Sequence, residues 1–397
     1  MRSFSIKNSL ILLIASASLI PISVASGQSG LFINYFYLLL LFLPFIKYRY
    51  SKTGVFLVLV YTFIYIVGIP RLFMNDLYYA ARVTSSYIVF MIPFTLIFIK
   101  IEDTYFEKFK QAVIYVSMAY SLMLFFELIS IGYSGDFYAT KDLIGSNRFG
   151  FIIVFAFFVL FHETGYKLVY KILFLTILLV GLVLTFSRSS IVAFGVAALI
   201  WGALNFRKIN VKYLLGAFLL GIVFVFVFRE TIIGQIIDFF SQYLLSYGNY
   251  NLTNSRTSEG YRVYVFNQII QYVVVHPLFG SNYAGLYLLY DEYRTVGASA
   301  HNQYTDVLLR TGLVGLTTIL FIIYRMTKYY FYSSPGVFYG LMGILTYGLF
   351  HETFKLAHGS FIFAILLSYY LSKKEPKYKL IFPSAFSGDQ ESKTVNG

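Results

Sequence analysis

Two groups of residues in this 397-residue chain place a charge or a titratable proton where apolar packing gives no reason for one. The first is His301-Asn302, followed by Asp306, Arg310, Gly312 and Gly315 as an apolar run begins. A histidine there can act as a base near neutral pH, because its unperturbed pKa is about 6.5. Gly312 and Gly315 would let another helix or loop approach closely. The second is Arg188, in Thr185-Phe186-Ser187-Arg188-Ser189-Ser190, which interrupts an otherwise apolar stretch from Leu182 to Val192. In lipid an uncompensated charge costs at least about 2.5 kcal/mol. Arg188 reads either as a helix-end charge that snorkels to an interface, or as part of an anion site with its neighbouring hydroxyls and the N–H groups opening the next helix.

The elements that must position these residues follow from composition. Hydrophobic residues make up 58% of the chain and charged residues 12%, and mean hydropathy is +0.71. A soluble domain with a polar surface is excluded, and lipid becomes the expected solvent. Apolar runs close to the roughly 20 residues needed to cross a bilayer fall near 9–26, 28–46, 54–70, 84–99, 111–131, 149–162, 168–186, 189–206, 212–228, 304–324, 336–351 and 359–372. The expected fold is therefore an all-α polytopic membrane protein of about 12 transmembrane helices, with one large outer-face loop containing short helices. Its divisions are 1–228 for about nine N-terminal membrane helices, 229–303 for the loop, 304–372 for about three C-terminal helices, and 373–397 for a polar tail.

Charge sets the orientation, since Lys and Arg beside short loops are retained in the cytoplasm. Both termini fall on the side carrying 20 of the 31 basic residues and 7 of the 18 acidic ones; the other side has 11 of each. The excess of +13 is thus a topological signal, and a nucleic-acid partner is not expected although the pI is about 9.4. The inner side holds 4 Arg and 16 Lys, whereas the outer side holds 9 Arg and 2 Lys. Topology asks only for positive charge; a planar bidentate fork suits phosphate or carboxylate. The outer set, Arg71, Arg82, Arg148, Arg188, Arg229, Arg256, Arg262, Arg294 and Arg310, therefore points to an anionic ligand such as a diphosphate.

Within the loop, 230–247 has the polar–apolar spacing of an amphipathic surface helix, Gly248 to Ser258 reads as a polar hinge, and 259–275 resumes a helical pattern. That pattern ends before His276-Pro277, where proline cannot continue it. His162, His276, His351 and His358 read as structural. The chain has no cysteine, and Asp291, Glu292 and Asp306 form no DxD-type cation box, so no metal or cofactor is expected. Aromatic content of 20% is compatible with sugar stacking, but lipid-facing bulk accounts for it more simply.

At these residues the chain resembles the O-antigen ligase and O-antigen polymerase superfamily. The ligase signature of His-Asn, nine residues, Gly, two residues, Gly is met by His301, Asn302, Gly312 and Gly315. Ser187-Arg188 resembles the family's arginine at the outer end of a helix. Arg262 with His276-Pro277-Leu278-Phe279-Gly280 resembles its periplasmic arginine helix and the turn after it, and Gly145-Ser146-Asn147-Arg148 a weaker motif. The resemblance spans roughly residues 145–325.

It implies a bacterial inner-membrane, GT-C-like glycosyltransferase of polysaccharide biosynthesis, acting on an undecaprenyl-diphosphate-linked oligosaccharide at the periplasmic face. A chain-length co-polymerase is a candidate partner, beside the membrane lipids. Arg188 and Arg262 would hold the carrier diphosphate with Arg256 as a helper, Asn302, Asn147 and Arg148 would line the substrate site, and His301 would be the base. A polymerase joining repeat units is the favoured reading, on the expectation that polymerases outnumber ligases among such divergent chains. The arginine-ten-glycine pattern of some polymerases is nevertheless missing: eleven positions beyond Arg188, Arg256, Arg262 and Arg294 lie Leu199, Asn267, Val273 and Thr305. A ligase delivering finished glycan to a lipid A core is the alternative. A lipid-linked oligosaccharide flippase is less favoured, because no similarity relates the two halves.

Overall fold

The computed structural model describes residues 51–75, 77–131, 149–163, 165–185, 187–208, 258–288, 300–353 and 357–375. The apolar runs at 9–26, 28–46 and 212–228, the pattern over 230–247, most of the hinge after Gly248, and most of the tail lie outside these residues. So do Asn147, Arg148 and Arg256.

Ten α-helices, and no β-strand, occur among the described residues: α1 (Lys52–Phe73), α2 (Leu77–Thr95), α3 (Asp103–Ile131), α4 (Gly150–His162), α5 (Leu168–Leu184), α6 (Arg188–Asn205), α7 (Ser258–Val275), α8 (Gln303–Ser333), α9 (Pro335–Tyr347) and α10 (Ala357–Lys374). By length and composition four of them, α1, α3, α6 and α8, are long and apolar enough to cross a membrane, and α4 and α5 are shorter apolar helices. Nine of the twelve apolar runs thus coincide with helices here. Starts follow local chemistry: the Ser51 hydroxyl accepts from Gly54 N–H at 3.0 Å, and Pro335 opens α9 at a position whose N–H would have no helical partner.

Burial runs opposite to that of a soluble bundle. Helix α4 is apolar all round and is buried along nearly its whole length, while α5 turns Leu168, Val169, Ile172 and Leu173 outward, and α1 turns Phe56, Leu59 and Phe63 outward. A helix greasy on every side belongs at the centre, and greasy outer faces suit lipid. Helix α9 lies against α4 through Gly336, Gly340 and Gly343; a Cβ at Gly340 would come within 2.7 Å of Phe155 Cδ2.

Polar clasps close the two ends. At one end Glu375 accepts from the Ser51 hydroxyl at 2.7 Å and also from Thr53; Lys373 pairs with Asp103 at 2.5 Å, and Lys110 with Glu163 at 2.6 Å. The other end gathers the starts of α6, α7 and α8 and the stretch following α9.

The feature that orders this second end is a break in α8. Gly312 has φ 64° and ψ −165°, which no L side chain adopts comfortably. The break removes the helical bonds from Leu313 and Val314 N–H to the carbonyls of Leu309 and Arg310. All four groups find partners in the turn following α7. Leu313 N–H donates to Pro277 O at 2.8 Å and Val314 N–H to Leu278 O at 3.2 Å; in return Ser281 N–H donates to Leu309 O at 2.7 Å and Tyr283 N–H to Arg310 O at 2.9 Å. Gly280, at φ 57°, permits the contact from the other side, since a Cβ there would meet Gly312 N at 2.8 Å. Gly315 takes the close approach expected of it, with its carbonyl accepting from the Tyr61 hydroxyl at 2.8 Å.

Gly312→Ala should therefore destabilise the protein by about 2 kcal/mol or more, since it adds backbone strain and a collision with Leu278 O and, at 2.6 Å, with Gly280 N. Gly195→Ala in α6, where a Cβ meets nothing within 4 Å, is the control and should be neutral or slightly stabilising. Thermal unfolding in detergent measures both; equal melting temperatures for the two variants would refute the interlock.

Candidate functional site

His301 occupies the last turn of chain before α8, at φ 50°, an uncommon conformation for a residue with a side chain. Its neighbours hold it there. Ala300 N–H donates to Glu352 Oε1 at 2.5 Å, Gln303 N–H to Gly348 O at 2.7 Å, and the Tyr304 hydroxyl to Leu345 O at 2.7 Å. The stretch that follows α9 thus fastens the stretch that precedes α8. Asn302 is the N-cap of α8, its Oδ1 accepting from Tyr304 N–H at 2.9 Å and Thr305 N–H at 3.1 Å. The residue read as a substrate contact therefore has a folding role as well: it starts the helix that carries Gly312.

The His301 ring stands edge-on to two others, Tyr261 at 6.2 Å and His351 at 6.5 Å between centroids. His351 stacks on the buried Tyr347 ring at 4.6 Å, and its Nε2 lies 2.9 Å from Ser189 Oγ. His351, read as structural, is held by these contacts and joins the neighbourhood of His301 to the start of α6. Its spacing gave no motif, and only the fold brings residue 351 next to residues 189 and 301. His162, at the far end of α4, donates Nδ1–H to Phe158 O at 3.0 Å and stacks on Tyr339, and His276 stacks on Tyr272 at 4.5 Å, packing of the kind a structural histidine makes.

Arg188 is the first residue of α6, half-buried, and Ser187 before it is the cap. Ser187 Oγ accepts from Ser190 N–H at 3.3 Å and from the Ser190 hydroxyl at 2.7 Å, and lies 3.1 Å from Ser189 Oγ. Arginine at a helix N-terminus opposes the helix dipole, which favours anions there, and the first turn contains no acidic residue. Arg262 is half-buried in the first turn of α7, directly after Tyr261. Helix α7 is seated on α8 by a small apolar cluster of Val265, Ile269, Val273, Leu286, Ala300 and Leu309.

Arg188 and Arg262 are thus each next in sequence to a residue in contact with the histidine pair. Two other arginines of the outer set, neither of them named as a site residue, make contacts within the fold. Arg310 Nε donates to both oxygens of Asp306 at 3.0 and 2.9 Å, while its Nη1 contacts Ser86 Oγ and donates to Tyr283 O at 3.1 Å. Arg71 donates to the Tyr272 hydroxyl at 3.4 Å. Among the described residues no three His, Asp or Glu side chains are grouped so as to hold a metal ion.

Chemically, this end of the bundle combines imidazoles that can accept a proton, guanidinium groups that can grip an anion, and a helix start whose hydroxyls can donate to one. Residues 172–320 match the family model described as O-antigen ligase. No curated protein matches the chain. The matched stretch contains Arg188, Ser189, Arg262, His301, Gly312 and Gly315, and ends before His351. Over this stretch, which holds the histidine and arginines that the fold gathers at one end, the chain is similar to the O-antigen ligase family.

Proposed function

We propose that the protein is a polymerase that joins oligosaccharide repeat units carried on undecaprenyl diphosphate, at the periplasmic face of the inner membrane, with both termini in the cytoplasm. The family implies a glycosyltransferase-like enzyme of glycan assembly acting on lipid-linked glycans, and four long apolar helices suit a membrane. The observation that carries the reading is the path from His301 to His351 to Ser189 beside Arg188, which sets a base next to an anion site. In the reaction, His301 takes the proton of the acceptor sugar hydroxyl. The hydroxyl oxygen bonds to the anomeric carbon from the face opposite the leaving group, and the bond from that carbon to the carrier diphosphate breaks, its electron pair leaving with the diphosphate. The configuration inverts. Arg188 and Arg262, helped by Arg256, neutralise the charge that develops on the leaving group. Arg148 and Asn147 would face the donor glycan, and the cycle runs without a divalent cation.

A ligase is the second reading, favoured by the description of the matched family model and by the His-Asn…Gly-x-x-Gly signature. Both enzymes present a sugar hydroxyl to the same site. Surface polysaccharide from a deletion strain separates them: a core carrying one repeat unit identifies a polymerase, and bare core with polymer accumulating on the carrier identifies a ligase.

His301→Ala should lower glycan transfer by roughly 10²–10⁴-fold, the usual worth of a positioned proton transfer, with the amount of inserted protein unchanged. Activity above about a tenth of wild type would remove His301 from the role of base. Arg188→Lys and Arg262→Lys should be nearly as damaging as the alanine variants, because an ammonium keeps the charge but loses the fork that grips two phosphate oxygens. Turnover of purified lipid-linked donor, in the presence of a chelator, reads this; lysine variants working at near wild-type rates would show that the arginines act as topological charges.

A further inference from the structure

We propose that His351 is a positioning residue of the donor site, which acts through Ser189 to aim the first turn of α6 at the carrier diphosphate; the inference rests on the transfer reading above. Several buried hydroxyls among the described residues bond back within their own helix. Ser121 donates to Ser117 O at 2.8 Å, Thr311 to Val307 O at 2.7 Å, Thr346 to Met342 O at 2.9 Å, and Ser372 to Ser368 O at 2.8 Å. Such back-bonds satisfy the hydroxyl and leave it nothing to offer a ligand. Ser189, in the first turn of α6, has no preceding helical turn to bond to, and its hydroxyl reaches instead across to a ring beyond α9.

The protons on this array can be followed. Ser187 Oγ receives the Ser190 N–H and the Ser190 O–H, so its own proton goes to its remaining neighbour, Ser189 Oγ, 3.1 Å away. With a proton on His351 Nε2, Ser189 Oγ receives a second hydrogen bond, at 2.9 Å. Both lone pairs of Ser189 are then filled from inside the protein, and its O–H turns outward beside Arg188 as a donor. An anion is what such a hydroxyl fits, next to a guanidinium and at the positive end of a helix. His351 itself cannot drift: it is stacked on the buried Tyr347, and its backbone N–H bonds Tyr347 O at 3.1 Å.

The test is the affinity of the full-length protein, in detergent or nanodiscs, for undecaprenyl diphosphate, the leaving group alone. Ser189→Ala, which removes a single oxygen, and His351→Ala should each weaken binding about tenfold or more, as expected for loss of a hydrogen bond to a charged group. The double variant should be no worse than the more affected single one, because both act on the same hydroxyl. His351→Gln, whose amide N–H can take the place of Nε2–H, should bind within about threefold of wild type. A purely structural histidine would lower the melting temperature of His351→Ala and leave the affinity of the folded fraction unchanged. Folded Ser189→Ala binding the diphosphate lipid as wild type does, or additive effects in the double variant, would overturn the inference, and the Ser189 and His351→Gln variants decide it even if His351→Ala does not fold. A wild-type protein that does not bind undecaprenyl diphosphate would instead remove the transfer reading, and this inference with it.

Discussion

The exchange of four backbone hydrogen bonds between the break in α8 and the turn after α7 is the constraint on which the His301 end depends. In an apolar interior an unpaired peptide N–H or C=O costs several kcal/mol, so a helix cannot break there unless another segment takes over its bonds. Residues 277–283 do so with complete accounting, two donors for two acceptors in each direction. The same turn ties in α1, because Asn282 donates to Ile64 O at 2.8 Å and the Tyr283 hydroxyl to Tyr61 O at 3.1 Å. It reaches α2 through Arg310, which bonds Tyr283 O and contacts Ser86. A single backbone contact thus sets the position of α7, which carries Arg262, relative to α8, which begins just after His301.

This constraint explains a division of labour among the arginines. Arg310 neutralises Asp306 inside α8 and braces the turn, so its charge is matched by a carboxylate. Arg188 stands at the start of α6, where the helix dipole favours negative charge. At the opposite end of the bundle lysines meet the carboxylates instead, in Lys373–Asp103 and Lys110–Glu163. Lysine suffices for pairing with a single carboxylate, whereas recognition of a diphosphate rewards the arginine fork.

Much of this was legible in the sequence, and for physical reasons. Helices declare themselves by apolar length, so α1, α3, α5, α6 and α8 fall where the hydropathy runs do, and the helical pattern at 259–275 is α7, stopped at its proline. Gly312 and Gly315 announce close approach because no other residue type fits it. Arg188 is conspicuous because the residues around it are greasy. The partner of the break was not legible: glycine marks an unusual backbone but does not say which segment fills the vacated bonds. His351 was hidden for a related reason. Its contacts are with Ser189, 162 residues away in sequence, and with a ring 50 positions earlier, and neither leaves a periodic trace. Arg310 is a plainer case, since its i,i+4 carboxylate, Asp306, is visible in the sequence and pairs with it in the fold.

On the proposed reading, the separation of roles among different elements follows from the chemistry. A base and a leaving-group clamp must lie on opposite sides of the carbon that reacts in an inverting displacement, so they cannot both project from neighbouring turns of one helix. Here His301 precedes α8 and Arg188 opens α6, and the stretch after α9 bridges them: Glu352 fixes the backbone before His301, while His351 holds Ser189 beside Arg188. Two consecutive residues thus couple the geometry of the two half-sites. On the proposed reading, a displacement of this short segment would disturb the proton acceptor and the phosphate clamp together, and because correct alignment is worth several kcal/mol of a reaction barrier, the rigidity of residues 347–353 bears on both. The stacked Tyr347 and His351 rings and the backbone bonds of the turn from Tyr347 to Thr353 supply that rigidity.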